Sequence, residues 1–280
     1  MFRTDLLRGK RILVTGGGSG LGAAMAGRFA ELGASLVLCG RRMAVLTETA
    51  GRIRAEAGTA VAVHGCDLRD AAAVAAMFEA IWAAGPLDVL VNNAAATFIA
   101  QTERLSARAV DAVLAPTLHG ALYCTLEAGR RWIAVGRPGT VLSILSTSVR
   151  TGRAFTVPSA MAKAGLQAMT QSLAVEWGPK GVRLVAIAPG PFPTPGAWNQ
   201  LMPAGRASAH APGARVPLGR VGAAPELTNL AAYLVSDEAG YVSGETVAID
   251  GAAHLRTSGA EDLLEWSEAD WEAQRARRGA

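Results

Sequence analysis

The stretch Arg11 to Gly33, RILVTGGGSGLGAAMAGRFAELG, sets an apolar strand, a glycine-rich turn and an Ala-rich helix in immediate succession. Glycines in such a turn let the backbone bend sharply and approach a pyrophosphate, and the helix that follows offers free amides and a partial positive charge. A glycine trio alone says little. Placed after a first strand and before a helix, with the next strand SLVLCG starting at Ser35, it reads as a dinucleotide cradle, with Gly16, Ser19, Gly20 and Leu21 at the phosphates.

Working outward, short apolar runs alternate with longer helical ones. AVAVHGCD, DVLVNNA, GTVLSILS, RLVAIAPG and ETVAIDG complete a set of seven strands with the two already quoted. They are apolar almost throughout, as strands buried on both faces must be. The expected fold is therefore α/β, a single Rossmann-type doubly wound domain with a seven-stranded parallel sheet spanning residues 1–280, and ligand should lie beyond the strands' carboxyl ends. Residues 191–220, rich in Pro, Gly and Ala, follow a strand end and read as a substrate lid or as a plain surface loop. The tail, 254–280, carries a capping box at Ser267 and Asp270 and reads as a short docking helix with Leu263, Trp266 and Trp271 available to bury.

Composition narrows the classes further. Half the residues are hydrophobic and 18% are charged, which describes a folded enzyme core rather than a disordered chain. A net charge of +4 is too small and dispersed to argue for nucleic acid. Cys39, Cys66 and Cys124 sit in apolar segments without metal-like spacing, so they read as buried thiols of a reducing, cytoplasmic setting, and no metal is expected. No export signal or membrane anchor is read from the sequence.

At the end of the second strand, where an acid would grip the ribose hydroxyls of NAD, the chain has Cys39-Gly40-Arg41-Arg42. Two guanidinium groups suit a 2′-phosphate, so NADP(H) is the expected cofactor. Asp67 and Leu68, closing the third strand, are placed to meet the adenine, although Asp67 equally suits a helix cap. Asn93 closes the fourth strand beside the cofactor.

TGGGSGLG, CDLRD, VNNAA and APGP, in that order, resemble the successive signatures of the short-chain dehydrogenase/reductase family. RRMAVL, NNAAATFIAQTERLS, VPSAMAKAG, LAVEWGPKGVR and APGPFPTPGA are similar to its 2,4-dienoyl-CoA reductase branch, over almost the whole chain. That resemblance implies NADPH-dependent reduction of an unsaturated acyl-CoA. It places Lys163 and the turn Pro189, Gly190 and Phe192 at the cofactor, and Phe98 and Ser106 at the acyl-CoA. It also implies a homo-oligomer, a tetramer in most of the family.

The catalytic half departs from the pattern. Most of the family sets a Tyr four residues before the Lys, on one helix face, so that the ammonium lowers the phenol's pKa. Here that position is Ser159, and the loop position from which the dienoyl-CoA branch supplies its Tyr is Ser148. The branch's substrate-binding Asn becomes Thr97, and the family's helix Asn is read as His119. Ser146, thirteen before Ser159, matches the usual substrate-binding Ser. Hydride addition to a conjugated thioester builds an enolate, which needs hydrogen-bond donors more than a strong acid. Lys163, Ser159, Ser146 and Ser148 are accordingly the expected catalytic set, with Thr97, Phe98, Ser106 and His119 toward substrate. A carbonyl or ketoacyl reductase with another proton donor, and a catalytically degenerate NADPH-binding protein, stay open as alternatives.

Overall fold

A computed structural model describes residues 3–194, 213–256 and 261–278. Seven strands, β1 Arg11–Thr15, β2 Ser35–Gly40, β3 Val61–Gly65, β4 Val89–Asn92, β5 Gly139–Ile144, β6 Val182–Pro189 and β7 Thr246–Ile249, form one parallel sheet. Their order is β3-β2-β1-β4-β5-β6-β7, which is the expected doubly wound arrangement with its switch point between β1 and β4.

Side chains leave a strand on alternate faces, and both faces here are covered. Ile12, Val14, Leu36, Leu38, Val91 and Ile187 meet the helices α1 Gly20–Glu31, α2 Met43–Ala57 and α8 Ala224–Val235 through Phe29, Ile53 and Leu227. Leu13, Val37, Leu90, Val141 and Leu184 meet α3 Ala71–Ala83, α5 Gly120–Ala134 and α7 Val157–Trp177 through Phe78, Trp132 and Trp177. Fully burying one such side chain stabilises by about 1.5–3 kcal/mol. The three cysteines are free and buried within this second layer.

Helix α4 Ala107–Leu114 runs through a π-helical turn, Ala115–His119, into α5. The combined stretch Ala107–Ala134 has the length and composition of a membrane span. Its inward side, including Val113, Cys124 and Trp132, is nevertheless part of this protein's core. A four-residue helix, α6 Ser148–Thr151, lies between β5 and α7, and α9 Glu268–Arg278 ends the described chain.

Of the region 191–220 expected to form a lid, residues 195–212 lie outside the described residues. In the tail, Ser267 and Asp270 form the expected cap, the Asp270 carboxylate accepting from the Ser267 amide at 2.8 Å and from its hydroxyl at 2.6 Å. Leu263, Trp266 and Trp271 are each more than a third exposed, and the two indoles meet tilted at 59° with ring centroids 4.9 Å apart. Within the single chain, these three residues are not buried.

Candidate active site

The carboxyl ends of β1, β2, β3, β4 and β5 open into one cleft of about 420 Å³. Its floor is the glycine turn. Thr15 is buried, donates its hydroxyl to the Val91 carbonyl at 3.1 Å, and accepts from the amides of Asn93 and Ala94, each at 3.0 Å. The Asn93 side-chain amide returns the tie by donating from Nδ2 to the Thr15 carbonyl at 2.9 Å. Strands β1 and β4 are thus locked together where the strand order reverses. Gly16 has a left-handed φ of 65°, and a Cβ there would come within 3.1 Å of Ala94. At Gly22, a Cβ would lie 2.5 Å from both the Asn93 amide nitrogen and the Gly16 carbonyl oxygen. The turn can pack this closely under a ligand only without side chains at those positions.

One end of the cleft is lined by Ser19, Arg41, Arg42, Cys66, Asp67 and Leu68. Both arginines are exposed, and Arg42 donates to the Ser19 hydroxyl at 3.3 Å, so its guanidinium leans over the glycine turn. Asp67 pairs with Arg69 at 2.5 Å, and that hydrogen-bonded neighbour holds its carboxyl below the usual range. Of the two roles open to Asp67, capping α3 belongs instead to Asp70, whose carboxylate accepts from the Ala72 and Ala73 amides. Asp67 is left facing the cleft.

The other end is lined by Ala94, Ala95, Pro116, Ile144, Leu145, Lys163 and Thr194. Lys163 reaches from α7 to donate to the Ile144 carbonyl at 2.5 Å, which clamps the helix to the end of β5. Burial brings its ammonium down to about 8. Ser159 stands one turn earlier on the same face of α7 and is half-buried. Ser146 follows Leu145 directly and Ser148 opens α6, and the Ser146 hydroxyl accepts from the Ser148 amide at 3.3 Å. Of these four residues Lys163 lines the cleft, while Ser159 stands a turn before it on α7 and Ser146 and Ser148 lie on the segment after β5, outside the cleft lining.

Other sequence candidates fall elsewhere. Ser106 is exposed and caps α4 by accepting from the Ala109 amide at 3.2 Å, which gives it a structural role. His119 is exposed, beside Tyr123. In its turn the inward group is Thr117, fully buried, which accepts from the Ala96 amide at 3.0 Å. A π-helical turn packs more residues into each rotation, so the inward position is displaced from where a regular helix would put it. Pro116 was the one local signal of that irregularity. Phe192 is buried against Gly222, and Gly190 packs on Asp250, so this turn meets the cleft through Thr194 rather than through those two residues. Thr97 and Phe98 are half-buried on the segment after β4.

Residues 16–254 match the family model described as Enoyl-(Acyl carrier protein) reductase. The chain is a short-chain dehydrogenase/reductase. This dehydrogenase/reductase is 42% identical over 248 residues to a Bacillus subtilis protein named "Probable 2,4-dienoyl-CoA reductase", covering 88% of this chain and 97% of that one. It is 44% identical over 273 residues to an oxidoreductase of Caenorhabditis elegans without an assigned substrate, covering 95% of this chain and 87% of the relative. Among solved structures, a candidate 2-deoxy-d-gluconate 3-dehydrogenase from Agrobacterium tumefaciens with bound NADP superposes with a TM-score of 0.81. Its identity is 32%, over 91% of this chain and 100% of that one. As an oxidoreductase of this family, the enzyme uses a nicotinamide cofactor, and the glycine cradle and cleft described above have the shape for it.

Proposed function

We propose that this enzyme reduces an unsaturated acyl-CoA thioester with NADPH. The observation that carries the choice of reaction is the polar set at the end of β5. Hydroxyls and a buried lysine stand there, and Tyr123, Tyr233 and Tyr241, the three tyrosines of the chain, lie on α5, on α8 and in the turn before β7. Relatives named for dienoyl-CoA reduction support the same class of substrate.

The residues that would hold the cofactor are the glycine turn, Asn93 and Lys163, with Arg41 and Arg42 toward a 2′-phosphate. Bound there, NADPH supplies a hydride. The chain's own part is electrostatic. Charge that collects on a thioester oxygen during reduction is stabilised by donors fixed in place beforehand, and the Ser146, Ser148 and Ser159 hydroxyls can each donate one hydrogen bond. Lys163 adds a buried positive charge that favours electron-rich states nearby. The remaining proton comes from water, because no phenol stands at position 148 or 159.

A ketone reduction makes an alkoxide, for which these donors are poor acids, so simple ketones should fare worse. The test is to follow NADPH oxidation with a panel of 2,4-dienoyl-, 2-enoyl- and 3-ketoacyl-CoA thioesters and a simple ketone. Turnover confined to the unsaturated thioesters supports the proposal. Preferential turnover of the ketoacyl thioester or ketone would replace it with carbonyl reduction, and tight NADPH binding without turnover would make this a cofactor-binding protein.

A further inference from the structure

Three charged or titratable side chains outside the cleft are joined in one chain. The Asp250 carboxylate, nearly buried at the end of β7, accepts from the His254 ring Nδ1 at 2.7 Å, from the His254 amide at 2.8 Å and from the Ala252 amide at 3.1 Å. On the far side of the ring, Nε2 lies 3.0 Å from a guanidinium nitrogen of Arg150, whose other terminal nitrogen donates to the Thr246 carbonyl at 3.1 Å. A guanidinium can only donate. Nε2 must therefore be the acceptor, so the ring is neutral with its proton on Nδ1, where Asp250 receives it.

Arg150 belongs to α6, two residues after Ser148. This helix is a single turn of four residues, and at its edges the Val149 amide donates to the Ser146 carbonyl at 3.1 Å, the Arg150 amide to Thr147 at 3.0 Å, and the Gly152 amide to Ser148 at 2.9 Å. A turn this short does not hold itself. The Asp250 turn is itself seated closely against Gly190 of the β6 end and Val216 of the returning segment.

We infer that Arg150 is the positioning residue for the serine-bearing turn α6, held by a His254 whose tautomer Asp250 dictates. The proposal rests on the reading that Ser148 faces the substrate. Neither Arg150 nor His254 lines the cofactor cleft, so their removal leaves NADPH binding in place.

The test uses the full chain. Nitrogen-15 NMR of the histidines, of which the chain has four, should show one neutral ring protonated at Nδ1, and its signal should vanish in His254→Asn. Hydrogen exchange of a peptide covering 146–152 should quicken about tenfold in Arg150→Met and recover in part in Arg150→Lys, with NADPH affinity unchanged. The thioester KM should rise about tenfold in Arg150→Met. A His254 protonated at Nε2, or unchanged exchange in Arg150→Met, overturns the inference whatever the thioester assay shows. Faster exchange with unaltered thioester kinetics upholds the hold on α6 and removes Ser148 from the substrate.

Discussion

Lys163 is the residue at which burial and chemistry meet. In the unfolded chain its ammonium ionises at the ordinary 10.5, and in the folded chain at about 8. The folded state gives up the proton first, so stability rises with pH between those values and the penalty for burying the charge is fully present below pH 8. Denaturation of the cofactor-free protein should show it. Relative to Lys163→Met, the wild type should gain up to about 3 kcal/mol on going from pH 7 to pH 10.5. A second residue-scale expectation concerns Arg41 and Arg42. Replacing both with Ala should weaken NADPH about a hundredfold and NADH only a fewfold, read by fluorescence titration, because only NADPH presents a 2′-phosphate. Both arginines were legible as a pair from sequence, since they occupy the end of a strand in a fixed motif. Thr117 was not, because its inward direction depends on the π-helical turn that displaces His119.

At the scale of elements, strands were the easiest to read, for an apolar run between Gly-rich ends has few alternatives. The switch between β1 and β4 likewise follows from the glycine turn and VNNAA. Helix ends were harder. Asp67 and Asp70 both precede α3 and both suit a cap, and only the hydrogen bonds from Ala72 and Ala73 assign the role to Asp70. Asp70→Ala should therefore lower stability by about 1 kcal/mol with little effect on cofactor affinity. Asp67→Ala should leave stability within about 0.5 kcal/mol, because its partner Arg69 is half exposed, and should change cofactor affinity instead. Urea titration and cofactor titration of the two variants separate these roles. The Asp250–His254–Arg150 chain was invisible to motif reading for a different reason. It joins residues a hundred positions apart and belongs to no local pattern.

Over the whole molecule, the sheet does two jobs with one topology. Its two buried layers fix the strand ends, and the strand ends carry the glycine cradle and Asn93 into one cleft, which Lys163 enters from α7. The chain has no phenol at position 148 or 159, and hydroxyl donors suffice where the acceptor is a conjugated thioester. The most direct measurement supplies NADPH bearing deuterium at its transferable position, together with a 2,4-dienoyl-CoA thioester, and weighs the thioester afterwards. The product should have gained one deuterium from the cofactor and one hydrogen from water, formed in proportion to NADPH consumed. A thioester recovered unlabelled, with NADPH bound but unspent, would contradict it.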